Sequence, residues 1–411
     1  MIPLDPRNIF CFGFCFWVPD SSQFSLNLYS RNNPYAGFVE FTPQISLKIG
    51  NFGVLVGMSA FNGRSKLINK EDWNPYREYS LEIVDWKGEP VITKYPLFEA
   101  LQYRAFGWLD YGFIKVKMGR DYLKVSHSLR YPLLFSGWGY PLDWFYLVEG
   151  GYRGLRGYAG FARVPSNFYE NKRLAFQRLE WEFWKVKLGI TEMVVYTRDD
   201  TWKYANPFVL YYVVQRRESD NDDNLFLHLD ATIDLGLMEF YGEFMGDDPS
   251  VFHGEGQAPL MGFTGGFRID GNYGFFNMEG SAVLPFTYAH FTYKNTFDAL
   301  GLPLATYLGQ DYTSLYSIYS FKGFFADFEY ILHGNTPFGL PFEESGLPPT
   351  GEFPRKPRSE WFRFGLGIRD VNFDLSIAYF GLSGRLGFDV INGKFYPAWS
   401  FVWFSSLKWG I

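Results

Sequence analysis

Apolar side chains recur at every second position along this chain, and that period leaves few folds open. Near the start, Phe10, Phe12, Phe14 and Phe16 alternate; at the end, Trp399, Phe401, Trp403, Leu407, Trp409 and Ile411 do the same. A β-strand sends successive side chains to opposite faces, so each run makes one face that water disfavours. In a closed barrel the first and last strands pair with each other, and in a bilayer both turn an apolar face to lipid. The expectation is an all-β fold, a single closed antiparallel transmembrane β-barrel covering residues 1–411 as one domain.

The interior of the chain follows the same rule. Leu225, Leu227, Leu229, Ala231 and Ile233 alternate with His228, Asp230 and Asp234, and Phe324, Ala326, Phe328 and Tyr330 alternate with Asp327 and Glu329. Segments of about 9–11 residues suit a tilted membrane strand. Counting them gives about 16 to 18 strands, a size that encloses a lumen. Leu174 and Phe176 precede Leu179, Trp181 and Phe183, and this change of parity predicts a bulge near Gln177. Aromatic residues make up 21% of the chain, as expected for girdles at two membrane interfaces. The longest stretches without alternation are Asn62–Tyr79, Tyr140–Asn171, Asp298–Thr313 and Gly334–Glu360. These are expected to be long outer loops or segments folded into the lumen.

Other classes of function are disfavoured. A net charge of −6 argues against nucleic-acid binding, which needs a basic stripe. The five histidines have no metal-ligand spacing, so neither metal nor cofactor is expected. Asp220, Asp222, Asp223, Asp247 and Asp248 read as solvated acidic turns. His127 lies between Ser126 and Ser128, but neighbours on a strand point apart and cannot form a dyad, so the chain is not expected to be an enzyme. Cys11 and Cys15, placed on one strand, would be about 13 Å apart and unable to bridge. No secretory signal is recognisable, and the sequence reads as mature.

Alternation places Arg178, Glu180, Glu182, Glu192, Asp230, Glu239 and Glu243 on neighbouring lumen-facing positions. Half-buried charges need partners, and an Arg–carboxylate ladder would supply them. Trp73, Tyr76, Trp138, Tyr140 and Trp144 fall near strand ends, where they could form a girdle or stack on sugars. The run Gly150-Gly151-Tyr152-Arg153-Gly154-Leu155-Arg156-Gly157-Tyr158 is similar to the Arg-Gly-Tyr loop motif of the Omp85 family. More than half of the chain follows it, however, where that family has only a few strands. It reads instead as a glycine-rich lumenal or outer loop carrying Arg153 and Arg156.

A longer succession carries a broader resemblance. Arg173-Leu174-Ala175-Phe176-Gln177-Arg178-Leu179-Glu180 leads to Leu188-Gly189-Ile190-Thr191-Glu192 and Tyr204-Ala205-Asn206-Pro207. Then come Gln215, Asp223-Asn224, Asp230, Tyr241-Gly242-Glu243-Phe244 and Asp247-Asp248. Together with Gly119-Arg120-Asp121 and His333-Gly334, this order resembles the capsule-assembly Wzi family, outer-membrane barrels implicated in holding polysaccharide at the cell surface. The resemblance implies a bacterial outer-membrane protein that retains polysaccharide or another envelope layer through its outer loops. Its partners would be outer-membrane lipid and surface polysaccharide. Two further readings stay open on the residues alone: a passive diffusion porin, as a homotrimer, or a structural barrel packed into an ordered array.

Overall fold

Alternation becomes a closed wall. The computed structural model describes residues 9–11, 15–17, 21–32, 36–65, 97–136, 141–166, 171–197, 202–217, 223–247, 260–290, 293–299, 302–306, 308–334, 336, 353–356, 358–375 and 378–409. Among these, eighteen strands hydrogen-bond into one ring. In chain order they are β1 (Ser21–Asn32), β2 (Ala36–Ile49), β3 (Phe52–Ser65), β4 (Leu97–Asp110), β5 (Ile114–Asp121) and β6 (Leu142–Tyr152). They continue with β7 (Leu155–Arg163), β8 (Lys172–Phe183), β9 (Val186–Thr197), β10 (Asn224–Asp234), β11 (Met238–Asp247) and β12 (Met261–Gly271). The last are β13 (Gly274–Val283), β14 (Tyr312–Phe321), β15 (Phe324–His333), β16 (Ser359–Leu375), β17 (Ala378–Ile391) and β18 (Lys394–Trp409). Each strand pairs antiparallel with its sequence neighbours, and β18 closes on β1, with Trp403 opposite Leu28. Closure removes the unpaired edge that an open sheet would leave. A short helix, α1 (Tyr211–Arg217), lies between β9 and β10.

The two ends of the wall differ. One carries tight turns such as Arg153-Gly154 and Lys322-Gly323, where both residues have positive φ. That backbone matches the right-handed twist of the strands it joins. The other end carries the long connections between described strands, among them those from β5 to β6, β9 to β10, β13 to β14 and β15 to β16. Outward-facing Ile190, Leu229, Phe263, Leu366 and Leu386 are each at least 40% exposed. They form an apolar belt around the barrel, which in water would cost about 25 cal/mol for every Å² left wet.

Several expectations are corrected. The run from Phe10 to Phe16 is not one strand. Ile9–Cys11 and Cys15–Trp17 pair as a separate hairpin with Cys11 opposite Cys15, and the wall begins at Ser21. The four-residue spacing thus spans a reversal of the chain and not an extended strand. No bulge occurs near Gln177, because β8 keeps an unbroken register with both β7 and β9. Leu174 and Phe176 point inward there, while Leu179, Trp181 and Phe183 point outward. The parity changes because the inner face of β8 is itself apolar near the long-loop end. The stretch Tyr140–Asn171 is not a loop; it holds β6 and β7. Conversely, residues 122–136 do not form a wall strand.

Candidate functional site

Two connections fold back into the barrel from the long-loop end. The first is residues 122–136, which doubles over so that Val125 N donates to Phe135 O at 3.1 Å. The second, described at residues 284–290, 293–299, 302–306 and 308–311, joins the first where Ser136 N donates to Leu304 O (3.0 Å) and Tyr288 Oη donates to Leu133 O (2.9 Å). Phe135 is the hub. Its ring meets Trp144, Phe176 and Phe297 edge-on at 6.4, 5.4 and 5.9 Å, an arrangement that suits aromatic quadrupoles. Around it Leu133, Leu134, Leu174, Met193, Phe226 and Met245 are buried to 0% exposure. The loop-side interior along β6–β15 is therefore a packed hydrophobic core.

Wall carboxylates fasten the first segment. Glu279 on β13 accepts from Ser128 Oγ (2.6 Å), Leu129 N (2.8 Å), Arg130 N (3.1 Å), Tyr131 N (2.6 Å) and Tyr241 Oη (2.6 Å). Glu243 on β11 accepts from Ser126 Oγ, Ser128 N and Leu133 N. Glu329 on β15 accepts from Arg130 Nε (2.8 Å), Tyr131 Oη (2.8 Å) and Arg363 Nη1 (2.8 Å). These three glutamates lie on alternate strands and at matching depth. Glu279 sits four residues below the end of its strand, about 13 Å at roughly 3.3 Å per residue. A carboxylate offers about four lone-pair sites, so one wall residue can satisfy several turned-in backbone N–H groups. Such groups would otherwise be buried without partners.

The expected ladder is assembled on the inner face in part. Arg178 grips Asp230 through two guanidinium nitrogens at 2.5 and 2.9 Å, and Glu180 at 2.9 Å. Glu243 lies opposite Asp230 in the register, and Glu239 pairs with Arg268 at 3.1 Å. Glu182 faces inward near the short-turn end and is exposed. Glu192 is a correction. It lies opposite Gln177 and so faces outward, where Gln177 Nε2 donates to it at 2.7 Å and Tyr211 N and Tyr212 N donate at 2.9 and 2.7 Å. Gly189 leaves the Arg178–Asp230 pair its room, because a Cβ there would collide with both partners. Gly189→Val should therefore lower the melting midpoint of the detergent-solubilised barrel. Gly157→Val should not, because nothing lies within 4 Å of the position its Cβ would take.

Below the folded-in segment a cavity of about 390 Å³ is lined by Lys115, Lys117, Lys124, His127, Tyr158 and Glu180. His127 belongs to the turned-in segment; burial pushes its imidazole pKa down, while Asp230 at 3.7 Å pulls the other way. The Ser126 and Ser128 hydroxyls donate to carboxylates and so act as tethers. Among the described residues no three or more His, Cys, Asp or Glu side chains gather to hold a metal ion.

Of the aromatic candidates only Trp144 is among the described residues. Trp73, Tyr76, Trp138 and Tyr140 lie outside the described residues. Trp144 is 3% exposed, and its indole N–H donates to Asp121 O at 3.0 Å, so its faces pack in the core and are closed to sugars. Arg153 is also corrected: it sits in the tight turn at the short-turn end, with Arg156 exposed on β7 beside it. Sequence reasoning missed Glu279, put Glu329 on a charged strand face without a role, and weighed Ser126, His127 and Ser128 only as a dyad on a strand, so the turned-in segment went unseen. The one available signal was a non-alternating stretch, too short to stand out, ahead of β6.

Wall, belt and packed loop-side interior together define the fold of an outer-membrane-type β-barrel. No family model matches the chain, and no curated protein matches it in sequence. Among solved structures it is similar to Wzi of Escherichia coli, described as a carbohydrate-binding β-barrel involved in group 1 capsule assembly. The TM-score is 0.59 at 11% identity over 96% of this chain and 85% of that one. It is also similar to two Pseudomonas aeruginosa proteins. OccD3 gives a TM-score of 0.51 at 12% identity over 95% and 91% of the two chains. The outer membrane protein OpdK gives 0.50 at 13% over 95% and 99%. At these identities the likeness concerns the fold.

Proposed function

We propose that this chain is a single bacterial outer-membrane barrel that presents its long loops at the cell surface and retains polysaccharide or another envelope layer there. In this reading the apolar belt faces lipid, the short turns face the periplasm and the lumen does not serve as a diffusion route. One observation carries it: the loop-side interior along β6–β15 is packed with apolar side chains and fastened by buried carboxylates. A diffusion pore needs a wet, polar path, whereas a dry core supports a surface role. The fold likeness to a carbohydrate-binding capsule-assembly barrel favours the same side.

The porin reading is the alternative, supported by the charged cavity beneath the turned-in segment and by the fold shared with OccD3. Conductance in a planar bilayer separates the two. The purified protein should insert and show no steady current, while steady ohmic steps would sink the surface reading. Binding of surface polysaccharide to the folded protein, measured by retention on a glycan-coated sensor, is the positive test.

A further inference from the structure

Above the belt, the outer face of the wall carries a feature that the filled lumen does not use. Arg163 on β7 and Arg173 on β8 are direct cross-strand partners. Like charges set opposite one another on a sheet destabilise it unless an anion joins them. Asp143, opposite Arg163 on its other side, is engaged by Arg120 through two nitrogens at 2.5 and 2.6 Å, and Arg173 Nη1 donates only to the Lys172 carbonyl at 3.3 Å. Among the described residues no carboxylate stands within ion-pair distance of Arg163 or Arg173.

An apolar ledge adjoins this pair. The Arg173 guanidinium lies over the Phe145 ring at 5.5 Å, and Phe145 in turn meets Trp202 at 5.7 Å. Residues 202–217 lie along the outer wall, burying Tyr204 and Tyr211 against Phe161, Ala175, Val194 and Leu225. Their other side leaves Trp202, Phe208 and Leu210 62%, 93% and 63% exposed. The segment is a fixed part of the wall, since it seals the outward carboxylate of Glu192 with two backbone N–H groups. It also continues the belt: Gln177 Nε2 donates to Val209 O, and Leu179 and Ile190 lie two residues further along their strands.

A cationic pair directly above a surface that is apolar on both sides matches an amphiphile with an anionic head. A guanidinium fork fits phosphate oxygens in particular. We infer that Arg163 and Arg173, with the ledge of Trp202, Phe208 and Leu210, bind the phosphate-bearing head group, of net negative charge, of a membrane lipid whose acyl chains lie against the ledge. This rests on the outer-membrane reading.

The test is lipid retention by the full-length protein in detergent, followed by native mass spectrometry with added lipid A, phosphatidylcholine or inorganic phosphate. Lipid A should be retained as one copy per chain and phosphatidylcholine should not. Replacing both arginines (R163Q with R173Q) should weaken retention by at least about tenfold, as loss of two charge-assisted contacts requires. The exposed-site variant F208S with L210S keeps the arginines and the wall packing, and should also weaken it. Unchanged retention in either variant overturns the inference, as does full displacement of lipid A by millimolar inorganic phosphate, which would mark a site for free anions. Nitroxide labels at Leu229 and Phe240 report separately on the membrane reading. If they are out of reach of membrane-dissolved oxygen, that reading has failed; if they are within reach while R163Q with R173Q retains lipid A, only this inference has failed.

Discussion

Glu279→Ala is expected to conduct ions steadily across a planar bilayer, where the unaltered chain is expected to show no steady current. The Glu279 carboxylate is the acceptor for three consecutive backbone N–H groups, those of Leu129, Arg130 and Tyr131, and for the Ser128 hydroxyl. Alanine removes this shared acceptor from all four donors, and of the three amides Tyr131 N still has Ser128 Oγ at 2.8 Å. Each such loss costs about 1–3 kcal/mol, enough in sum to favour release of residues 126–131 into the water below. The wall itself is held by its own ladder of strand hydrogen bonds and by Arg178–Asp230 on other strands, so it should survive. Hydrogen exchange over residues 126–131 gives a second readout. A variant that stays silent and protects those amides as well as the unaltered chain would show that Glu279 does not fasten the segment.

Arg178→Leu should destabilise the barrel more than any single change at the surface. The Asp230 side chain is 0% exposed and would lose its main cationic partner. Removing one member of a buried pair typically costs about 3–5 kcal/mol, because the remaining charge stays desolvated. His228 Nδ1 at 3.5 Å and His127 Nε2 at 3.7 Å from Asp230 are too distant to replace a bidentate guanidinium. The temperature at which the folded, fast-migrating form disappears on semi-native gels should fall clearly. Arg178→Leu combined with Asp230→Leu should recover most of that loss, since apolar residues can fill the space without a charge. Equal midpoints for the single and double variants would mean that the pair contributes nothing beyond packing.

The barrel was legible in the residues because strand alternation is local. Leu225 to Asp234 declares its two faces without knowing its neighbours, and so do Met238 to Asp247 and Phe324 to His333. Arg178, Glu180, Asp230, Glu239 and Glu243 could be placed inside for the same reason. Glu192 could not. It shares its face with the outward Leu188 and Ile190 on β9, but a carboxylate beside an apolar belt made sense only once Gln177 and the backbone N–H groups of Tyr211 and Tyr212 were seen to satisfy it there. The change from Phe176 to Leu179 looked like a bulge because an apolar inner face on β8 was not foreseeable until something apolar was known to fill the lumen.

Period and composition by themselves determined the antiparallel wall, its apolar outside and its charged inside, since each follows from the direction of a side chain on its own strand. Tertiary structure alone decided that the loop-side interior along β6–β15 is packed. Residues 122–136 have no periodic pattern, and what fixes them are acceptors 110 to 199 positions away, from Glu243 to Glu329. Contacts of that separation exist only once the ring has closed and carried β11, β13 and β15 beside the turned-in segment, so no local pattern in the chain could announce them.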